Sequence, residues 1–353
     1  MTEINNRIQA FVKLGEFMSL FTQIKSSKND HTKIDSDFIT GFNHQIKLAK
    51  EHNSWFTHEN IVFSLSQWTE ALTESNLKKW LSAYSFDDIT PKKVAIIMAG
   101  NIPLVGFHDF LCVLISGHSV LVKLSSNDKH LLPYLAKYLE YIDISFKGKI
   151  IFTEEKLENY DAVIATGSNN TSRYFEHYFG KKPNIIRKNR NSIAVLTGNE
   201  SNEQLEALGE DVFRYYGLGC RSVSKLFVPE NYNFDSFFKA IYKYNPIINE
   251  NKYANNYDYN KAVYLMSLFK VLENGFLMLK EDTSYASPIA SLFYEYYTDL
   301  ESLKIKLKSD KEKIQCIVSH NFIEKEVNFG ETQKPELWNY ADDIDTINFL
   351  LDF

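Results

Sequence analysis

Cys220 is the residue whose type and setting point most directly to chemistry. It follows Gly217-Leu-Gly219, and an apolar segment from 224 to 228 that reads as a buried strand begins four residues later. Glycines open tight backbone conformations to the chain, so a cysteine on such a turn can be held exposed at the bottom of a cleft. There a thiolate acts as a nucleophile, a role closed to a packing cysteine. Arg221 and Lys225 are candidates for holding that thiolate, because nearby positive charge lowers a cysteine pKa from about 8.5. A solvent-facing Arg221 is the alternative. The other two cysteines read differently. Cys112 lies inside the apolar run 110–115 and Cys316 inside 314–318, the pattern of reduced, buried thiols. There is no CxxC and no Cys/His spacing that fits a zinc site.

Other chemically suggestive pieces stand in a fixed order before Cys220. They are Gly100-Asn-Ile-Pro-Leu104, Val120-Leu-Val-Lys-Leu-Ser-Ser126, Thr166-Gly-Ser168 and Ser192-Ile-Ala-Val195. Each has an ordinary structural reading. Gly100-Asn101 fits a turn ahead of Pro103, Lys123 a solvated lysine at a strand end, and Ser168 the N-cap of a helix through Phe175. Taken together over residues 92–230, the series resembles the aldehyde dehydrogenase superfamily. The Gly-Asn-x-Pro form, the Lys-x-Ser-Ser run and the shorter length resemble its acyl-CoA reductase branch, which includes the fatty-acyl reductase subunit of bacterial bioluminescence.

The resemblance implies roles. Cys220 matches the catalytic cysteine, which attacks a thioester carbonyl to give an acyl-enzyme. Asn101 matches the asparagine whose amide helps form the oxyanion hole, with the Cys220 backbone N–H as second donor. Lys123 matches the lysine that contacts the adenosine ribose of the nicotinamide cofactor. Ser126 stands where NAD-preferring members place a glutamate. A carboxylate there would repel a 2′-phosphate, whereas Ser125 and Ser126 can donate hydrogen bonds to it, so the implied cofactor is NADPH (NADP). Thr166, Gly167 and Ser168 match a turn that opens a helix beside the cofactor, where free N–H groups suit a phosphate. No GxGxxG fingerprint is present.

Two departures sharpen the reading. Hydrolytic members carry a water-activating glutamate just before the strand matching 192–195. Here the stretch is Ile186-Arg-Lys-Asn-Arg-Asn-Ser192, with no carboxylate. Without a base, water is a poor nucleophile toward an acyl-enzyme, which favours reduction of an acyl thioester over oxidation to an acid. Arg187, Lys188 and Arg190 are candidates for meeting the phosphates of coenzyme A or an acyl carrier; a solvated face is the plainer alternative. The second departure is Ser284-Tyr-Ala-Ser-Pro288, with serine where the family's Glu-x-Phe-Gly-Pro motif has the glutamate that holds the nicotinamide ribose. Glu281 is the candidate substitute. His108 follows Asn101 closely enough to line a cleft, although a histidine on a helix beside a core is usually packed or solvated.

The elements that must position these residues read from periodicity. Residues 1–90 recur apolar at helical spacing, as at Ile61, Leu65, Trp68 and Leu72, with polar stretches such as 25–31 between segments. From Pro91 strands alternate with helices: strands at 93–98, 119–123, 149–152 and 161–165, helices at 104–116 and 129–141. Such alternation implies parallel pairing with right-handed crossovers, and ligands bind beyond the carboxyl ends of such strands. After a strand at 192–197 a second α/β segment begins, with a helix at 203–216, the cysteine turn, the strand through Val228 and a helix from about 234. The expected fold is therefore α/β and aldehyde-dehydrogenase-like, with two lobes on parallel-sheet cores and a helical N-terminal region. The expected division is 1–90 helical, 91–197 cofactor-binding, 198–320 catalytic, and 321–353 a tail packing back on the body.

Bulk properties agree with an enzyme of this size. The 353 residues are 44% hydrophobic and 14% aromatic, enough for a substantial core. A net charge of −6 does not suggest a nucleic-acid partner. The first residues show no basic segment leading into an apolar one, and no apolar stretch reaches the ~18 residues of a membrane span, so a cytoplasmic protein is expected. The resemblance implies a homo-oligomer, a protein or CoA acyl donor and an acyl-transferring partner protein. The reading is NADPH-dependent reduction of a long-chain acyl-CoA or acyl-protein thioester to an aldehyde. The alternatives are another acylating aldehyde dehydrogenase, an acyl-phosphate reductase, or an inactive acyl-binding scaffold.

Overall fold

A computed structural model describes residues 3–22, 35–87 and 89–353. The polar stretch 25–31, expected to separate helices, lies outside them. Two compact units divide the chain: Met1–Lys188 with Glu336–Phe353, and Asn189–Pro335.

The first unit begins with α1 (Glu3–Ser19), α2 (Ser36–His52), α3 (His58–Ala71) and α4 (Glu74–Leu81). Asp35, Thr57 and Thr73 cap the last three by accepting the N–H of Asp37, Asn60 and Asn76. The helices bury Phe11, Leu14, Phe17, Phe42, Ile61 and Leu65 in one core. Then come β1 (Lys93–Ile97), α5 (Phe107–Ile115), β2 (Ser119–Lys123), α6 (Leu131–Ile142), β3 (Ile150–Phe152), β4 (Ala162–Thr166), α7 (Asn169–Phe179) and β5 (Asn184–Arg187).

These five strands form one parallel sheet in the order β3-β2-β1-β4-β5. It is covered on both faces, which is why its strands are near-continuous apolar runs. Val94, Ile96, Val120, Val122 and Ile164 join the large helical core. Ala95, Leu121, Val163 and Ala165 face the opposite way, toward Phe175 and Phe179 of α7. Helix α5 starts at Phe107 rather than at Leu104, because Leu104 takes a left-handed conformation at φ +58°.

The second unit contains β6 (Asn191–Val195), α8 (Asn202–Phe213), β7 (Val223–Pro229), α9 (Phe234–Ala240), α10 (Asn251–Met266), β8 (Val271–Glu273), β9 (Met278–Glu281), β10 (Ser291–Tyr297), α11 (Leu300–Ser309) and β11 (Ile314–Val318). Its sheet runs β11-β6-β7-β10-β9-β8 and is parallel except for the β8–β9 edge pair. Residues 191–195, grouped by their position in the chain with the first lobe, are thus a strand of the second sheet. Ser201 and Gln204 form a reciprocal capping box at the start of α8.

The end of the chain belongs to the first unit. There α12 (Thr346–Leu351) is capped by Asp345. Residues 321–335 stay with the second unit. Among the described residues no helix is long and apolar enough to cross a membrane, and no cluster of His, Cys, Asp or Glu is arranged to hold a metal.

Candidate active site

Helix α8 ends at Phe213, and the chain then turns through three successive left-handed residues, Tyr215 (φ +56°), Tyr216 (φ +59°) and Gly217 (φ +74°). Left-handed backbone at non-glycine residues costs on the order of 1–3 kcal/mol each and tends to occur at functional sites. The two glycines before Cys220 therefore differ. Gly217 supplies the conformation, whereas Gly219 does not adopt it. A Cβ on Gly219 would lie in ordinary contact, 3.4 Å from Ser222 Oγ and 3.6 Å from Gln333 Oε1.

Beyond this turn Cys220 is exposed. Its carbonyl accepts the Ser192 hydroxyl at 3.0 Å, and Ser192 is fully buried near the start of β6. Ser222 N–H donates to Gly219 O at 3.0 Å, while Ser222 Oγ accepts from Gln333 Nε2 at 3.2 Å. Ser224 donates to the carbonyl of Tyr285 at 2.7 Å. The cysteine turn thus sits at the amino ends of β6 and β7, beside the loop that leads into β10.

Gln333 is itself held. Asp211, buried on α8, accepts Gly330 N–H at 2.7 Å, Thr332 N–H at 3.0 Å and the Thr332 hydroxyl at 2.8 Å. Burial raises the Asp211 pKa and the three donors pull it back, leaving it at about 6. Sequence reasoning did not reach Ser192, Ser222, Gln333 or Asp211 as supports of the turn. One signal was present for Asp211, a charged residue at an apolar-face position of a helix whose buried face includes Leu205, Leu208 and Val212.

The basic residues proposed around Cys220 have other partners. Lys225 is fully buried on β7; its Nζ donates to Glu295 Oε2 at 2.6 Å and to Thr283 O at 2.9 Å. Burial lowers its pKa and Glu295 raises it in part. Lys306 meets the other carboxylate oxygen of Glu295. Lys225 therefore serves a core ion pair on the α11 face of the sheet and is not a holder of the thiolate. Arg221 Nη1 points to Sγ of buried Cys316 at 3.1 Å.

The run 187–190 is dispersed rather than a basic face. Arg187 is buried at the end of β5, in a bidentate pair with Asp109 of α5, one arm of which is 2.9 Å, and its Nη2 also donates to Thr346 at 3.1 Å. The strand puts this side chain inward, so it is not available to coenzyme A phosphates. Lys188 pairs with Glu176 of α7 at 2.8 Å, and Arg190 reaches the Lys311 carbonyl at 3.5 Å.

In the first unit the strand order reverses between β1 and β4, and ligands of open α/β sheets bind beyond the carboxyl ends of strands at such a switch point. The loop holding Gly100 and exposed Asn101 follows β1. Thr166, Gly167 and Ser168 follow β4 and open α7, with Ser168 Oγ accepting Thr171 N–H at 3.2 Å. Lys123 closes β2, its Nζ donating to Glu155 O at 3.1 Å. Ser125 Oγ accepts Asn127 N–H at 3.2 Å, and Ser126 is exposed. Donors, hydroxyls and a helix N-terminus therefore collect at the carboxyl ends of β1, β2 and β4, a set suited to a dinucleotide with phosphates.

His108 is packed, with Nε2 at 2.9 Å from Leu337 O and its ring facing Trp68, Trp80 and Tyr340. Ser284 is exposed, its N–H donating to Asp282 at 2.8 Å; Glu281 is exposed at the end of β9.

The fold is that of aldehyde dehydrogenases. Aldehyde dehydrogenase 21 of Physcomitrella patens, solved with the reaction product succinate, superposes with a TM-score of 0.62 at 12% identity, covering 99% of this chain and 88% of that one. The indole-3-acetaldehyde dehydrogenase AldA of P. syringae, solved in mutant form with NAD+ and IAA, gives 0.63 at 11% identity over 90% of this chain and 72% of that one. An aldehyde dehydrogenase of Bacillus cereus in complex with NAD+ gives 0.60 at 12% identity, again over 90% and 72%. No curated protein matches the chain in sequence. The sequence profile of the family described as Acyl-CoA reductase (LuxC) matches residues 25–242, more than half of the chain. By that match, on this fold, the chain belongs to the acyl-CoA reductase (LuxC) family.

Proposed function

We propose that this protein reduces an acyl thioester to an aldehyde through an acyl-enzyme on Cys220, with NADPH as reductant and a long-chain acyl-CoA or acyl-protein as donor. The observation that carries the reading is Cys220 itself. It is exposed just beyond a strained left-handed turn, its carbonyl held by Ser192 and the following residues by the Ser222–Gln333 contact, in a chain of the acyl-CoA reductase family.

The Cys220 thiolate attacks the thioester carbonyl; the carbon–sulfur bond to the carrier breaks, and the carrier leaves as a thiol once protonated. Asn101 and the Cys220 N–H serve as the oxyanion donors. The stretch 186–192 offers no carboxylate to activate water, so the acyl-enzyme outlives hydrolysis. Lys123, Ser125, Ser126, Thr166, Gly167 and Ser168 would hold the cofactor, with the two serines of the β2 loop leaving room for a 2′-phosphate. When bound, NADPH supplies the hydride that takes the acyl carbon to the aldehyde level.

Incubation with radiolabelled acyl-CoA tests the nucleophile: wild type should become labelled and Cys220→Ala should not. Label retained by the variant would refute the assignment. Serine at position 284 favours, as a second reading, a protein that binds acyl groups without turnover. Fluorescence titration separates the two, since an enzyme of this kind binds NADPH more tightly than NADH and the scaffold binds neither. Profiling NADPH oxidation against acyl chain length and against acyl phosphates identifies the donor.

A further inference from the structure

Asp128 stands three residues ahead of α6, two before the N-cap position, which His130 holds. Among the described residues no side chain caps the α6 N-terminus, that of Asp128 included. The Asp128 side chain turns instead to the loop after β1, where Oδ2 accepts the N–H of Leu104 at 3.1 Å. Leu104 is the left-handed residue that ends the Gly100–Asn101 loop. The carboxyl is buried, and Oδ1 has no hydrogen-bond partner among the described residues.

The two loops also touch directly. A Cβ on Gly100 would fall 2.5 Å from Ser125 Cβ and 3.2 Å from Asp128 N, so glycine is what allows the approach. Asp128 N–H donates to Ser125 O at 3.2 Å. Helix α3 and the C-cap of α2 each hold one of the loops: Ser64 Oγ donates to Pro103 O at 3.0 Å, and Asn53 Nδ2 to Asn127 O at 3.4 Å.

We infer that Asp128 is a positioning residue for Asn101. By holding Leu104 in its left-handed state against the loop after β2, it fixes the path of the Asn101 loop. The inference rests on the oxyanion role of Asn101 given above. A buried carboxyl with an orphaned oxygen is a costly feature for a loop that merely links a strand to a helix, and a fixed donor position is what that feature supplies.

The experiment is a double-mutant cycle on single-turnover acylation of Cys220 by labelled acyl-CoA, with purified full-length protein. Asn101→Ala should slow acylation by about 10²–10³, the usual cost of one oxyanion donor. Asp128→Ala should slow it by roughly 10–100-fold, the cost of a misplacement on the order of 1 Å, with the half-saturating acyl-CoA concentration and the NADPH Kd within about threefold of wild type. Asp128→Asn keeps an acceptor for Leu104 N–H and should recover to within a few-fold. The Asn101→Ala/Asp128→Ala double variant should be no slower than Asn101→Ala alone, because a misplaced donor that has been removed cannot be missed twice. If the alanine variant does not fold, Asp128→Ser, too short to reach Leu104, takes its place. Full activity in Asp128→Ala or Asp128→Ser, or losses that multiply in the double variant, would overturn the positioning role. Undiminished acylation in Asn101→Ala would instead overturn the oxyanion assignment beneath it.

Discussion

Arg187 offers the sharpest test of the difference between a ligand-binding residue and a buried one. In the fold its guanidinium lies in the first unit, bridging Asp109 of α5 and Thr346 of α12, with side-chain exposures of 6% for Arg187 and 8% for Asp109. Replacing it with alanine strands the Asp109 carboxylate in a site built for its partner. Breaking such a buried pair from one side costs about 3–5 kcal/mol. For a cooperative unit of 150–250 residues, each kcal/mol moves Tm by about 2–4 °C, so Arg187→Ala should lower Tm by roughly 6–20 °C. Replacing both members together, as Asp109→Leu/Arg187→Met, removes the stranded charge and should recover much of the loss, since apolar replacements of buried pairs are often neutral or better. Calorimetry on wild type and the two variants reads the outcome, and acyl-CoA saturation kinetics on Arg187→Ala provide the contrast. A Tm within about 2 °C of wild type, together with a raised KM for acyl-CoA, would show that the guanidinium meets phosphate and that the reasoning from burial is wrong.

Three further expectations follow from the same geometry. Lys225→Met should lower stability by about 1–3 kcal/mol in urea unfolding, because Glu295 loses one of its two lysines, while the pH profile of Cys220 alkylation by iodoacetamide stays in place; a profile displaced upward would return Lys225 to the thiolate. Gly219→Ala should be tolerated and Gly217→Ala should cost on the order of 1 kcal/mol or more, with a matching loss of Cys220 reactivity; equal effects would contradict the assignment of the left-handed turn to Gly217. Asp211 has a folded pKa of about 6 against an ordinary 3.8, so its neutral form stabilises the fold fully below 3.8 and that contribution is lost as pH rises through about 6. The stability of wild type relative to Asp211→Asn should therefore fall between pH 4 and 6 and level off above; urea midpoints across that range check the sign.

Much of the α/β alternation was legible because the strands of the first sheet are short β-branched runs, such as Val94-Ala-Ile-Ile97, bounded by Gly, Asn and Ser. Cys220 stood out by its glycine-flanked turn, and Asn101 and Lys123 only because their runs stand in order with it along the chain. The supports of those residues were not legible. Asp211 reaches Gly330 and Thr332 across more than a hundred residues, and Ser192 and Gln333 reach the cysteine turn from opposite sides of it in sequence. Local pattern carries no trace of such pairings. The basic run misled for a related reason. Charge composition ignores the two-residue period of a strand, which turned Arg187 into the interior and left Lys188 half-exposed beside α7.

The first unit is not continuous in sequence: residues 189–335 are made between its two parts. Its interior depends on the later part. His108 and His118 meet the carbonyls of Leu337 and Leu350, Trp80 Nε1 donates to Tyr340, and Arg187 reaches Thr346. A chain emerging from the ribosome can therefore finish its second unit before its first. For that interval the helical core waits with polar groups unanswered and apolar surface uncovered, a state that invites chaperones and proteases. A premature stop after residue 335 would leave Cys220 and every support of its turn intact in sequence, yet deny the first unit its last helix. The order of synthesis thus makes the first unit wait for residues 336–353, which are made only after the second unit.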